Sequence, residues 1–429
     1  MQPHKKDGCV HNTIVNPETI LQEVSDDVRP TETDTSTVLQ RLQDVLPENV
    51  EVQLGGSVSK HTNTGDDYDV DIFIKYPLHM RHDDISARCH EALQYTEWEV
   101  DVVKGSRNYY TFTHGDRRYE IVPVLNINSP DEAQTVVDVS PLHVAYFNDR
   151  ATPEIRRDVR LLKTLLKANY LYGAESHIAG ISGHVADILI LHYGSFSDTL
   201  RAVKNWEPKT LIDIENHHRT PMLTLNESKT RGPLIVVDPI QPQRNAAAAT
   251  ELKAYNAFKD LATQFLRNPG KEFFQQATLK ERVEGLAENA AYTAVIHTTF
   301  ESHRRDITGA KLVKVKEHLE RKLRKANFEP NDSFIHHEER SAVAISTTTY
   351  KPLTEQLRIS GPPVDQERHV KRFKASHEDT EVRDGFIVAY EPNPYGDAEE
   401  AVDAFLSEPY VSEKIRVEET QHIKTGGQT

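Results

Sequence analysis

Residues 54–77 read LGGSVSKHTNTGDDYDVDIFIKYP. The alternation Asp69-Val70-Asp71-Ile72-Phe73 within it is that of a β-strand, in which residues two apart point to the same face. Val70 and Ile72 then pack inward, and the Asp69 and Asp71 carboxylates project together into a cleft. Like charges held that close repel each other, so a plain structural role is unsuited to them unless cations bind there. An all-oxygen ligand set suits Mg²⁺, which commonly takes one or two carboxylates together with substrate phosphates. Ser57 stands twelve residues before Asp69, in the turn Gly55-Gly56-Ser57 that follows a strand-like run over 50–54. A strand ending in Gly-Gly-Ser and entering a helix offers backbone N–H groups and a hydroxyl, which together make a phosphate cradle. Each half alone is weak, since Gly-Gly-Ser is mostly a turn and Asp-x-Asp mostly a solvated edge. Together they point to a nucleotide and metal site.

The chain has 429 residues, more than one ordinary core holds, so two to four domains are expected. Its apolar runs fall well short of the roughly 18 residues of a membrane span. The opening MQPHKKDGCVHNT lacks a signal-peptide core. Cys9 and Cys89 supply neither a disulfide framework nor a zinc cluster, and a reducing cytoplasm is the expected setting. The net charge of −15 argues against a protein that coats nucleic acid indiscriminately, but phosphate contacts need only a local basic face.

Along the chain, a ragged extension is expected over residues 1–16, helices over 17–28 and 35–45, a strand at 51–54 and a short helix from Ser57. The carboxylate strand spans 68–75, and a helix covers 82–93. Strands at 98–104 and 108–113 lead through the turn Gly115-Asp116 into RRYEIVPV, 117–124, where Glu120 is a lone acid in an apolar run. A carboxylate there is costly to bury without a partner, so it reads as a third metal ligand rather than an exposed edge residue. Thr152-Pro153-Glu154 starts a helix. Its cations Arg156, Arg157, Arg160, Lys163 and Lys167 lean toward a phosphate-facing surface, and its leucines toward a core. A mainly apolar helix is expected over 182–193, a strand at 234–237, a break at 238–245 and a helix from Ala247. Residues 291–301 read as a strand, 311–328 as a long basic helix, 342–350 as β-rich, 358–363 as a turn and 385–390 as a strand. A helix over 398–406 and a polar tail close the chain.

Gly-Ser followed by Asp-x-Asp on the next strand resembles the polymerase-β-like nucleotidyltransferases. The longer segments GGSVSKHT, DYDVDIFIKYP, YEIVPV, SPLHVAYF, VRLLKTLLKANYLYGAE, ISGHVADILILHYGSF, VVDPIQPQRNAAAA and ISGPPV resemble the archaeal, class I CCA-adding enzymes, the tRNA nucleotidyltransferases. The resemblance implies an α+β multidomain fold: a catalytic head at 1–140, a helical neck at 141–265, a body with a small sheet at 266–310 and 385–429, and an inserted tail at 311–384. It implies tRNA, CTP and ATP as substrates, Mg²⁺ as cofactor, and it suggests a homodimer. Ser57 and Lys60 would hold the triphosphate, with Lys60 standing where the family usually has Arg, a point charge in place of a fork. Asp69, Asp71 and Glu120 would hold two Mg²⁺ ions, Glu120 standing where the family usually has Asp. His143, Lys163 and Tyr172 fall on nucleotide-binding positions, and Arg244 and Asn245 on a pair that helps read the incoming base. Without the resemblance, His143 reads equally as a half-buried capped histidine, Tyr172 as core packing and Lys163 as surface solvation.

Other readings remain open on sequence. A poly(A) polymerase or an oligoadenylate-type synthase would carry the same head, and a catalytically silent RNA-binding homologue would keep the fold. The retained trio of carboxylates speaks against the silent form.

Overall fold

A computed structural model describes residues 17–30, 34–65, 68–300, 305–338 and 340–425. The extension expected over 1–16 lies outside the described residues. The chain divides into two compact units, residues 1–276 and 277–429.

The first unit begins with helices α1 (Pro17–Asp27) and α2 (Ser36–Val45), followed by β1 (Glu51–Leu54), the single turn α3 (Gly56–Ser59) and β2 (Val70–Pro77). Helix α4 (Ile85–Leu93) precedes β3 (Asp101–Val103), β4 (Tyr109–His114) and β5 (Arg117–Asn126). The five strands form one sheet of order β1-β2-β5-β4-β3, in which β2 and β5 are parallel and the other pairs antiparallel. The period-2 reading of β2 holds: Val70, Ile72, Ile74 and Tyr76 are buried against Val38 and Leu42 of α2 and Ile85, Cys89 and Leu93 of α4. Asp84 caps α4 by accepting the Ala87 N–H at 2.9 Å. The strand expected at 98–104 is shorter, because Trp98 leaves the ladder to stack on Phe112 with ring centroids 4.1 Å apart.

The rest of this unit is mainly helical: α5 (Ser140–Arg150), α6 (Pro153–Ala168), α7 (Gly183–Tyr193), α8 (Phe196–Lys204), α9 (Pro221–Thr224) and α10 (Leu252–Arg267), with β6 (Thr210–Ile212) and β7 (Leu234–Val236) forming a small parallel pair. The Thr152 hydroxyl accepts the Ile155 N–H at 3.3 Å and starts α6 with Pro153 in its first turn. Val159, Leu161, Leu162, Leu165 and Leu166 are fully buried with Val185, Ile188, Leu189 and Ile190 of α7. Each such side chain contributes about 1.5–3 kcal/mol. Helix α1 joins this same core through Leu21 and Val24, followed by Val28 just past its end, and does not join the core of the sheet. The helix expected from Ala247 begins instead at Leu252. The Asn245 side chain accepts the N–H groups of Val236 and Ala247 at 3.0 and 2.9 Å, and this holds the alanine run as a loop despite its helix propensity.

The second unit contains α11 (Leu279–Glu288), β8 (Tyr292–Thr299), α12 (Arg305–Lys325), β9 (Pro330–His336), β10 (Ser341–Thr347), β11 (Gln356–Pro363), α13 (Glu367–Ser376), β12 (Thr380–Arg383), β13 (Phe386–Pro392), α14 (Ala398–Leu406), α15 (Pro409–Ser412) and β14 (Arg416–Lys424). Two sheets form, β14-β8-β10-β9 and β11-β13-β12. Residues 358–363, read as a turn from Gly361-Pro362-Pro363, are part of an edge strand. A register shift between Ser360 and Pro363 accommodates the prolines there. The polar tail likewise supplies a strand, β14, whose pairing with β8 compensates for its weak hydrophobic pattern. The basic helix α12 has two faces. Leu312, Val315, Leu319 and Leu323 are buried in the core of the four-stranded sheet, while Lys314, Arg321, Arg324 and Lys325 are exposed.

Candidate active site

The parallel pairing of β2 with β5 sets Asp71 directly beside Glu120 in register. Asp69, two residues earlier, falls on the same side, and all three carboxylates line one cleft of about 350 Å³. Burial, followed by the neighbouring Asp69 charge, pushes the Asp71 carboxyl up to about 6. Burial and the charges of Asp71 and Asp69 lift Glu120 to about 7. An oxygen-only cluster that resists its own ionisation is a fit for a divalent cation, whose charge removes the repulsion. One consequence follows directly. Protons compete with the ion, so divalent affinity should fall as pH drops through about 7 to 6 and level off above that range. Calorimetric Mg²⁺ titrations from about pH 5 to pH 8 check this, and a pH-independent affinity would contradict it.

Ser57 lies at the end of β1 in the turn of α3, and it lines the cleft together with Gly56. Lys60 follows that turn. Its Nζ is 2.8 Å from Asp187 Oδ2, and Lys163 Nζ from α6 is 3.1 Å from Asp187 Oδ1 and donates to Thr62 Oγ1 at 2.9 Å. Burial works to raise the Asp187 carboxyl, but Lys163 and Lys60 hold it below the usual carboxylate range. The other cations of α6 divide in a way the sequence reading did not anticipate. Arg156 donates to the Lys60 carbonyl, Arg160 to the carbonyls of Val28 and His61 at 2.9 and 2.7 Å, and Arg157 to Asp158 at 2.7 Å. Those three arginines tie protein to protein, and only Lys163 and Lys167 of the five line the cleft. Tyr172 lines it too, with Lys167 Nζ 5.5 Å from the centre of its ring.

His143, Arg244 and Asn245 are not among the residues lining this cleft. His143 and Arg244 meet instead on buried Asp238, which accepts from His143 Nε2 at 2.9 Å, His184 Nε2 at 3.2 Å and the Arg244 guanidinium at 2.7 Å. The backbone N–H groups of Ile240 and Gln241 complete its shell at 2.9 and 3.0 Å. Burial acts to raise this carboxyl, yet the His143 and His184 bonds hold it far below its ordinary range. The ligand atoms of His143, His184 and Asp238 lie within 4.8 Å of one another, a spacing that could hold a metal ion. With five donors already on the carboxylate, one of them a guanidinium, the arrangement acts as a hydrogen-bond hub. His184 carries the hub to the cleft wall, its ring 4.4 Å from that of His143. Asn245 is buried and its amide is spent on the backbone, accepting from Val236 and Ala247 and donating to Lys229 and Leu234 carbonyls at 2.9 and 3.2 Å. Its side chain shapes the loop that carries Arg244 and has no bonding capacity left for a base.

Sequence reasoning missed Asp187, Asp238, His184 and Thr62. The cue for Asp187 was present. It is a lone acid in the apolar helix GHVADILILHY, the same cue that singled out Glu120.

Residues 157–275 match the family described as tRNA nucleotidyltransferase, second domain, and residues 292–418 the family described as CCA-adding enzyme, C-terminal domain. A CCA-adding enzyme of Methanocaldococcus jannaschii is 27% identical over 397 residues, covering 88% of each chain. The chain is similar to archaeal CCA-adding enzymes over most of its length. A CCA-adding enzyme of Nanoarchaeum equitans is 35% identical over 214 residues, a match that spans 49% of this chain and only 53% of that one. Among solved structures, the uridylyl transferase Cid1 superposes with a TM-score of 0.50 at 12% identity, covering 61% of this chain and 99% of Cid1. That likeness concerns the fold alone, which is polymerase-β-like with mixed helix and sheet. The second-domain match contains Lys163, Tyr172, His184, Asp187, Asp238 and Arg244, while Lys60 and His143 precede it. Among the described residues, no helix is long and apolar enough to cross a membrane.

Proposed function

We propose that this chain adds C, C and A to the 3′ end of tRNA, using CTP and ATP in the cytoplasm without a nucleic-acid template. The observation that carries the reading is the convergence, in one cleft of a chain similar to CCA-adding enzymes, of three carboxylates with two buried lysines. Asp69, Asp71 and Glu120 would hold Mg²⁺, which when bound neutralises triphosphate charge and makes the attacking hydroxyl more acidic. Ser57, Lys60, Lys163 and Tyr172 hold the triphosphate with its α-phosphorus toward the carboxylates. Glu120 orients the tRNA 3′-hydroxyl. Its oxygen attacks the α-phosphorus, the bond to the bridging oxygen breaks, and pyrophosphate leaves with both electrons while the hydroxyl proton passes to solvent. The protein's part is therefore mainly placement and charge neutralisation. Arg244, fixed on one side by Asp238, reads the incoming base, and the exposed cations of α12 contact tRNA phosphates by shape rather than sequence.

The test uses a tRNA transcript lacking its 3′ end, with labelled CTP and ATP supplied singly and together. CTP alone should extend the transcript by two residues and stop. ATP alone should leave that transcript unextended but add one residue to a transcript already ending in CC. A-only tailing, or product made without tRNA, would transfer the chain to the poly(A) or oligoadenylate class.

A further inference from the structure

Two cations approach the cleft from different elements. Lys60 comes from the loop after α3 and Lys163 from the middle of α6, yet their ammonium groups converge on one side chain, Asp187, at 2.8 and 3.1 Å. Asp187 sits in α7 among Val185, Ala186, Ile188, Leu189 and Ile190, all buried, and is itself 3% exposed. A carboxylate in that setting is costly unless it is paired. It is no contact for a triphosphate, which it would repel, and it cancels half the charge that the two lysines offer. Nor is it needed to fasten the loop that carries Lys60. Arg156 already donates to the Lys60 carbonyl and Arg160 to the His61 carbonyl. What Asp187 adds is the placement of two ammonium groups that would otherwise repel each other. Lys163 spends one N–H on Thr62 and directs another toward Asp187, and its third donor is left for the cleft.

We propose that Asp187 is a positioning residue for nucleotide: its carboxylate gathers Lys60 and Lys163 into one pair, standing in for phosphate oxygens until a triphosphate enters. The proposal rests on the reading of Lys60 and Lys163 as triphosphate contacts. On binding, phosphate oxygens take the donors facing the cleft while Asp187 keeps those facing the core. The charged and titratable groups around the pair are Asp187 and His184 on α7, Lys167 on α6, Asp69 and Asp71 at β2, Glu120 on β5 and Tyr172 before α7. Of these, Asp187 forms ion pairs with both ammonium groups, hydrogen-bonded to Lys60 and 3.1 Å from Lys163.

The experiment measures CTP affinity of the full chain, in the absence of tRNA, from about pH 8 to pH 10 for wild type, Asp187→Asn and Asp187→Glu. In Asp187→Asn two buried ammonium groups face each other without a counterion, which favours loss of one proton as pH rises. CTP affinity of this variant should therefore weaken by about tenfold across that range. Wild type and Asp187→Glu, which keeps the charge, should show a flat profile. A flat profile for a folded Asp187→Asn would overturn the proposal, since lost packing alone lowers the active fraction equally at every pH. CTP affinity that weakens with rising pH in Asp187→Glu would overturn it as well, and needs no folded Asn variant. Failure of the wild type to bind CTP at any pH would strike the nucleotide-site reading itself, and the proposal with it.

Discussion

Alanine at both Asp69 and Asp71 should reduce nucleotide addition to below about one-thousandth of the wild-type rate, a loss of about 4 kcal/mol of transition-state stabilisation. Affinity for tRNA should change by less than about threefold, because the exposed cations of α12 lie in the second unit and the carboxylates in the first. The size of the loss follows from the geometry. Asp69, Asp71 and Glu120 together line the cleft, and Asp71 pairs in register with Glu120. Removing the first two leaves Glu120 as the only one of the three able to bind a cation. Single-turnover extension of a shortened tRNA, run beside filter binding of the same tRNA, separates chemistry from binding. Unchanged turnover would sink the assignment of these carboxylates to the metal site.

Gly56→Ala should be nearly as damaging, although it removes no functional group. Gly56 has φ +53°, a left-handed conformation that costs an L-residue roughly 1 kcal/mol, and a Cβ there would stand 1.7 Å from Asp71 Oδ2. The carboxylate must swing away or the turn must shift, and either movement separates Ser57 from the cation site. A fall of about a hundredfold in rate is expected, in line with the sensitivity of positioned reactions to displacements of about 1 Å. Thermal unfolding should change by only a few degrees, because the turn is a surface of the cleft and not part of the sheet core. Mg²⁺ affinity measured by calorimetry should fall in parallel with the rate. A variant with native activity would show that the turn relaxes freely and that the packing of Gly56 on Asp71 has no functional weight.

The site was readable in sequence where a local pattern met a topological consequence. Strand alternation put Asp69 and Asp71 on one face, and the isolated acid of YEIVPV pointed to Glu120, whose partner strand lies about fifty residues earlier in the chain. Only the parallel pairing of β2 and β5, a long-range event, brings the two together. The lysines show the complementary limit. Lys163 was singled out by family likeness, but its partner Asp187 depends on how α6 packs on α7, and helix periodicity carries no information about that. The same limit explains Arg156 and Arg160 of α6, whose local spacing is that of a solvated face while they donate to backbone carbonyls of a distant loop. The backbone bonds of Asn245 were hidden for a similar reason. Its residue type suits reading a base, and its four bonds to neighbouring backbone become visible only once β7 and the following loop are in place. In the second unit, Gly361-Pro362-Pro363 overrode a strand signal, because an edge position with a register shift is decided by neighbours and not by the segment itself.

The central claim is tested most directly by sequencing product 3′ ends after the full chain acts on a tRNA transcript that lacks its terminal residues, with Mg²⁺ and all four nucleoside triphosphates present. The account predicts that reads end in C-C-A and extend no further, on tRNAs of unrelated sequence. Runs of A or of U, or additions that follow no fixed order, would contradict it and place the chain among transferases that share its fold but not its reaction.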